Sequence, residues 1–268
     1  MIDSQSADLL KSEGYLVTSF AALDCTELLE AFRTFIHRVR DYQLRFLQKQ
    51  YGYAYDGFSY YGQTDSSHQA EDDLISTFVF SEFYPVDRYP EEFQGFLKGG
   101  WHKVVEIVRS LETDLLAQLD FPGLQDFYHQ NAGHMVSNNY YPPQQQFTTT
   151  AAGNTRLSAH PDASLFTVFP FGIDKELELQ VTGESGEPVW RSVDAADSIL
   201  LYPGYLMEMW THGAIKAMNH RVRLTDNSSV ERFTFSFFSL PFPLREFAMP
   251  GRGLMTSEAY FDAYGALF

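Results

Sequence analysis

The sequence predicts a mainly β fold, a double-sheet jelly roll carried on helices in the first half of the chain, from three observations. From about His134 onward the hydrophobic period is two, in the runs HMVSNNYY, TRLSAH, SLFTVFPF, ELELQVT, PVWRSV, DSILLYP, AMNHRVRL and RFTFSFFSL. Turn residues such as GESGEP and YPG separate the runs, and about eight strands at that spacing suit a sandwich better than a parallel sheet. Aromatics make up 16% of the 268 residues, with 24 Phe and 16 Tyr, enough for a sheet-rich core and a pocket walled by rings.

The first half reads helical. A helix from Ser6 to Glu13 stops at Gly14, and GYLVTSF follows as a first strand. Asp24 and Glu27 have capping-box spacing and open a stripe through Leu28, Leu29, Phe32, Phe35, Ile36, Val39, Phe46 and Leu47, read as one long amphipathic helix. A further helix places Trp101, Val104, Val105, Val108, Leu111, Leu115 and Leu119 on one side and ends near Phe121-Pro122. Between them, YGYAYDGFSYYGQTD is too polar for a core strand and too aromatic for a passive linker, so a loop reaching over a site is expected. No repeat, low-complexity tract or linker divides the chain. The expectation is one domain, with residues 1–130 as mostly helical support, 131–245 as the jelly-roll core and 246–268 as a C-terminal tail.

Charge and cysteine content narrow the partners. Nineteen Lys and Arg against 35 Asp and Glu give a formal charge of −16, which opposes approach to nucleic acid or an anionic membrane. The single cysteine, Cys25, excludes an intramolecular disulfide and a thiolate-caged zinc, and a packed free thiol is its expected state. MIDSQSADLL lacks the basic and apolar regions of a signal peptide. The longest apolar stretch, near Ser198–Met209, contains Pro203, Gly204 and Glu208 and is too short to span a bilayer. These features predict a soluble cytoplasmic globular protein, expected to be monomeric or weakly homo-oligomeric.

The chemistry concentrates in His160-Pro161-Asp162. Residues i and i+2 of an extended chain point to the same side, so an imidazole and a carboxylate can converge on one metal ion. His220, several strands later, offers a third ligand. Two histidines and a carboxylate leave open positions, which suits non-haem Fe(II) that must also bind O2 and an organic co-ligand. The competing reading is a surface coincidence. Arg232, Thr234, Ser236 and Phe238 alternate with Phe233, Phe235 and Phe237, so Arg232 and the Thr234 hydroxyl share a face with Phe238 further along it. A guanidinium turned into a sandwich needs an anion, either a bound carboxylate or one of the chain's many acidic residues. Asn139 and Tyr141 also share a face and can hydrogen-bond the same anion.

HPDASLFTVF, ELELQV, YPGYLMEMWTHGAIKAMNHRV and RFTFSFFSLP, preceded by NYYPP at Asn139–Pro143, resemble in order the core of the isopenicillin N synthase-like group of Fe(II)/2-oxoglutarate-dependent oxygenases. The resemblance spans roughly residues 134–243 and covers the first half only in outline. It implies a double-stranded β-helix with His160, Asp162 and His220 as iron ligands. It also implies that Arg232 and Thr234 hold the distal carboxylate of 2-oxoglutarate, that Tyr141 and Asn139 assist, and that Phe238 contacts substrate. The implied reaction uses O2 to hydroxylate, desaturate or cyclise a small organic metabolite, as in secondary-metabolite biosynthesis, and releases succinate and CO2. Asp162 fills the position that a halogenase would leave to halide.

Two alternatives remain at this level. One is an isopenicillin N synthase-type iron oxidase that omits 2-oxoglutarate and uses Arg232 with Thr234 on a substrate carboxylate. The other is a non-catalytic jelly roll binding a small ligand. The chain departs from the family pattern at Pro161, usually threonine, and at Thr234, usually serine. LTDNSS lengthens the span from His220 to Arg232 and predicts an enlarged turn, and the family's customary N-terminal extension is lacking, so a differently built substrate entrance is expected. His212 reads as a surface residue, and His68, His102, His129 and His134 lack partners at ligand spacing.

Overall fold

The computed structural model describes residues 5–48, 55–63, 73–143, 155–225 and 229–267. The chain opens with α1 (Ser6–Glu13), β1 (Leu16–Ala21), α2 (Thr26–Ile36) and the single turn α3 (Arg40–Gln43). Two strands follow, β2 (Gly57–Ser59) and β3 (Ser76–Ser81), and then α4 (Gln94–Lys98), α5 (Gly100–Leu116) and α6 (Leu124–Asn131). The strands expected from the two-residue period are all present: β4 (Ala132–Tyr141), β5 (Thr155–His160), β6 (Phe166–Phe169), β7 (Leu177–Thr182), β8 (Pro188–Ser192) and β9 (Ser198–Pro203). After the short helix α7 (Tyr205–Trp210) come β10 (His220–Arg223) and β11 (Arg232–Pro241). A hairpin, β12 (Glu246–Met249) and β13 (Gly253–Thr256), leads into α8 (Ser257–Gly265).

The strands form a seven-stranded sheet in the order β1-β9-β6-β11-β4-β3-β2 and a four-stranded sheet in the order β5-β10-β7-β8, all pairs antiparallel. This is the jelly-roll core that the alternation predicts. β11 shows how one strand serves two layers. Phe233, Phe235 and Phe237 turn to the helical layer, where Phe233 meets Phe32 of α2 at 5.7 Å and Phe237 stacks on Trp101 of α5 at 5.4 Å. Arg232, Thr234, Ser236 and Phe238 take the opposite face, toward the interior of the roll. Burying each ring is worth about 2–3 kcal/mol, so the helices are held by the face that the chemistry does not use. Among the described residues, no helix is long and apolar enough to cross a membrane.

The helical half departs from expectation in three places. The stripe from Leu28 to Leu47 is not one helix: α2 ends at Ile36, and Val39 adopts extended backbone and is 74% exposed. The break is stabilised because the Gln43 amide donates to the carbonyls of Phe35 and Ile36, at 3.1 and 2.7 Å, closing the end of α2. Second, Gly57–Ser59 in the aromatic segment is a buried strand, while Tyr55 of the same segment lines the cavity described below; residues 51–54 and 64–65 lie outside the described residues. Its polarity is absorbed internally. Ser59 bonds Thr77 at 2.7 Å, Asp56 accepts from the hydroxyls of Ser81 and Tyr89, and Phe58 packs on Phe35 at 5.3 Å. Third, β1, β2 and β3 join the large sheet, so the first 130 residues supply strands as well as support.

The last segment is more than a tail. α8 is fastened to the His160–Asp162 loop by two tyrosines one helical turn apart. The fully buried Tyr260 donates to the carbonyl of Ala163, and Tyr264 donates to that of Pro161 at 2.8 Å.

Candidate metal centre and cavity

His160 closes β5, His220 opens β10, and the two are directly paired across the smaller sheet, with ring centroids 4.4 Å apart. The register shifts between His220 and Val222, the mark of a bulge that re-aims side chains next to a site. Asp162 follows two residues after His160. One candidate ligand atom from each of His160, Asp162 and His220 lies within 4.8 Å of the other two. Asp162 Oδ1 stands 3.7 Å from Nε2 of both histidines.

Each ligand is pre-oriented by its other polar atom. His160 Nδ1 donates to the Ser158 carbonyl at 2.7 Å, and His220 Nδ1 to that of Met218 at 3.3 Å, which leaves both Nε2 lone pairs free and convergent. Asp162 Oδ2 accepts from Thr167 at 2.7 Å and Tyr202 at 3.1 Å, and Oδ1 is left for the centre. Thr167 and Tyr202 are themselves paired between β6 and β9. Burial pushes the His220 imidazole down to about 4, so it stays neutral and able to ligate at ordinary pH. Behind the loop, Tyr205 donates its backbone N–H to the Asp162 carbonyl at 2.7 Å. A Cβ at Gly204 would collide with the Ser164 carbonyl, which gives the glycine of YPGY its physical reason. These donors suit a divalent transition metal with positions left open.

The triad opens into a cavity of about 550 Å³, whose walls include Ser137, Asn139, Ser236 and Phe238. Arg232, Thr234 and Tyr141 do not line it; they lie further along β11 and β4, where Arg232 faces Tyr141 and Thr234 faces Asn139 in register. The buried Arg232 is not without an anion, because Asp174 takes its Nε and Nη2 at 2.7 and 2.8 Å. Burial opposes the Arg232 charge, and Asp174, with Tyr141 and Glu176, more than restores it. The guanidinium also lies 4.8 Å over the Tyr141 ring, while Nη1 is buried and has no hydrogen-bond partner among the described residues. The donor set therefore fits a further carboxylate at one remaining edge. Asn139 bonds Thr234 at 3.3 Å and Ser236 at 3.2 Å, so the four polar residues singled out in sequence do form one cluster.

Sequence reasoning missed Thr167, Tyr202 and Asp174, although Thr167 and Tyr202 stand inside strand runs it had identified. Their signal is a hydroxyl on the inward face of a strand. His212 is exposed, as expected; His134 joins no candidate metal group among the described residues, though Glu82 and Glu112 flank its ring, and His68 lies outside the described residues. The LTDNSS turn falls partly on residues 226–228, outside the described residues.

Residues 132–241 match the family model described as the 2OG-Fe(II) oxygenase superfamily. No curated protein sequence matches the chain. Among solved structures, an oxygenase from Shewanella oneidensis shares 20% identity at a TM-score of 0.69, covering 97% of this chain and 92% of that one. A full-length Neurospora crassa protein, solved in complex with alpha-KG and 5-formyluracil, shares 15% identity at 0.69, covering 99% and 89%. The rice dioxygenase for auxin oxidation shares 16% at 0.69, covering 98% and 89%. At such identities these likenesses carry the fold, and the matched segment contains β4 to β11 with all three convergent ligands. Over residues 132–241, the segment that carries the convergent triad, the chain is similar to the 2OG-Fe(II) oxygenase superfamily.

Proposed function

We propose that the protein uses O2 to oxidise a small organic molecule, with His160, Asp162 and His220 holding Fe(II) and Arg232 with Thr234, Tyr141 and Asn139 holding the distal carboxylate of 2-oxoglutarate. The observation that carries this reading is the convergence of the His160 and His220 Nε2 atoms and Asp162 Oδ1 in the lining of the cavity. When bound, the iron and 2-oxoglutarate supply the oxidising chemistry, in which O2 is consumed and succinate and CO2 are released as the substrate is hydroxylated, desaturated or cyclised.

The chain's own contributions are positional. Ser158 and Met218 carbonyls fix the two imidazole tautomers, and Thr167 and Tyr202 neutralise the Asp162 oxygen turned away from the metal. Asp174 keeps the Arg232 guanidinium oriented, so its unpartnered Nη1 is presented to a carboxylate without further ordering. Tyr202 and Tyr141, both buried, help keep water from the space between the two ends of the site. Phe238 forms part of the wall beyond Ser236, the position this reading gives to the substrate.

The test is to load the protein with Fe(II) anaerobically, admit O2 with and without 2-oxoglutarate, and measure succinate. Succinate formed only with both iron and 2-oxoglutarate supports the reading. Oxidation of a substrate without 2-oxoglutarate would replace it with the oxidase alternative.

A further inference from the structure

We propose that the cavity selects a substrate bearing a positively charged nitrogen, held by the Asp262 carboxylate against a wall of Tyr55, Phe238, Phe261 and Tyr264. The inference rests on the iron and 2-oxoglutarate reading of the same cavity and names the substrate class that reading leaves open.

The charges lining the cavity are of one sign. Besides the metal ligands, Asp73 and Asp262 are its ionisable carboxylates, and no Lys or Arg lines it among the described residues. Asp73 is committed to β5, accepting the Ser158 N–H and hydroxyl at 2.7 Å each. Asp262 is exposed, and its carboxylate makes no hydrogen bond or ion pair to the described residues. Its place is fixed by its helix neighbours, since Tyr260 and Tyr264 fasten α8 to the loop carrying Asp162. That anchorage holds Phe261 and Asp262 at the rim beside the metal centre.

The rings complete the chemistry. Tyr55, Phe238, Phe261 and Tyr264 gather on one small apolar cluster, and Tyr55 meets Phe261 edge-on at 5.2 Å and 87°. A carboxylate beside several aromatic faces is the arrangement that binds ammonium and quaternary ammonium groups, through ion pairing and cation–π attraction together. A carboxylate-bearing substrate would bring its charge toward Asp73 and Asp262 with no Lys or Arg among the described lining residues to receive it. The formal charge of −16 works in the same direction, raising the local concentration of cations at the mouth.

Three probes of matched size separate the possibilities: 2-phenylethylammonium, 2-phenylethanol and 3-phenylpropionate, titrated calorimetrically into protein loaded with Mn(II) and 2-oxoglutarate. The cation should bind at least about fivefold more tightly than the anion. Asp262→Asn should weaken the cation about three- to tenfold and leave the other two nearly unchanged. Phe261→Leu, which keeps the apolar contact but removes the π-face, should weaken the cation about threefold more than the alcohol. Loading is measured in the same experiment. Failure to take up Mn(II) and 2-oxoglutarate removes the functional reading and this inference with it. Loaded protein that binds the anion as well as the cation, or binds no cation, or shows no loss in Asp262→Asn, overturns the inference alone.

Discussion

His220 and His134 are both buried in the sheets, both face carboxylates, and are driven in opposite directions. At His220 one nitrogen donates to a backbone carbonyl and the other points at Asp162 Oδ1 from 3.7 Å, too far for a hydrogen bond, and burial lowers its basicity to about 4. At His134, Nδ1 lies 3.1 Å from Glu82 and Nε2 2.9 Å from Glu112. Burial disfavours the His134 charge too, but the two glutamates outweigh it and raise the group to about 9. Glu112 is further saturated by Tyr128 and Ser239, and Glu82 by Arg109. Saturated donors and acceptors make an ion-paired clasp joining α5 to β4 and β11. Unsaturated lone pairs aimed at one point make a metal site. Residue types alone do not separate the two, and the direction of each proton does.

Removing a ligand tests one side of this contrast most severely. Asp162→Ala or His220→Ala should reduce turnover to below about 1% of wild type, since each removes one of the three ligands proposed among the described residues. Thermal unfolding should shift by no more than a few degrees, because the triad is not what holds the sheets together. Next in size, Arg232→Met should raise the 2-oxoglutarate requirement by an amount equivalent to about 2–5 kcal/mol, measured as the concentration giving half-maximal succinate formation. On the other side of the contrast, His134→Leu leaves Glu112 buried beside an apolar group. It should cost about 3 kcal/mol in urea unfolding while turnover per folded molecule is unchanged.

Tyr202→Phe removes one of the two hydroxyls that hold Asp162 and should weaken metal affinity about tenfold, a milder version of the ligand losses. The clasp also carries a pH dependence that the metal centre does not share. His134 has a folded value near 9 against an ordinary 6.5, so its stabilisation is complete below pH 6.5 and fades as pH rises through 9. Glu82 is held down to about 2 from 4.5, so its share is complete above pH 4.5 and fades as pH falls toward 2. Unfolding free energy should therefore decline between about pH 6.5 and pH 9 in wild type, and this decline should be shallower in His134→Leu.

The β core and the triad were legible in sequence because both depend on a period of two. Alternation marks the strands, and the same alternation puts His160 and Asp162 on one side. The boundaries of the first half were less legible. A continuous apolar stripe does not reveal that Gln43 will turn back and close α2 at Ile36, nor does the polarity of Asp56 and Ser59 reveal that Tyr89, Ser81 and Thr77 will satisfy them. Arg232 was read correctly as a buried guanidinium needing an anion, yet Asp174, which takes two of its donors, stands in a loop where nothing local marks it. The contribution of α8 was hidden for the same reason: Tyr260 and Tyr264 act on carbonyls about a hundred residues away in sequence. Contacts set by tertiary approach leave no trace in local pattern.

The central claim is that His160, Asp162 and His220, rather than any other histidine–carboxylate cluster among the described residues, form the metal centre. Anaerobic Fe(II) binding, measured by equilibrium dialysis on the wild type, His220→Ala and His134→Leu, tests it directly. The account predicts one equivalent of iron in the wild type, loss of binding in His220→Ala and undiminished binding in His134→Leu. Retention of iron by His220→Ala, or its loss from a folded His134→Leu protein, would contradict it.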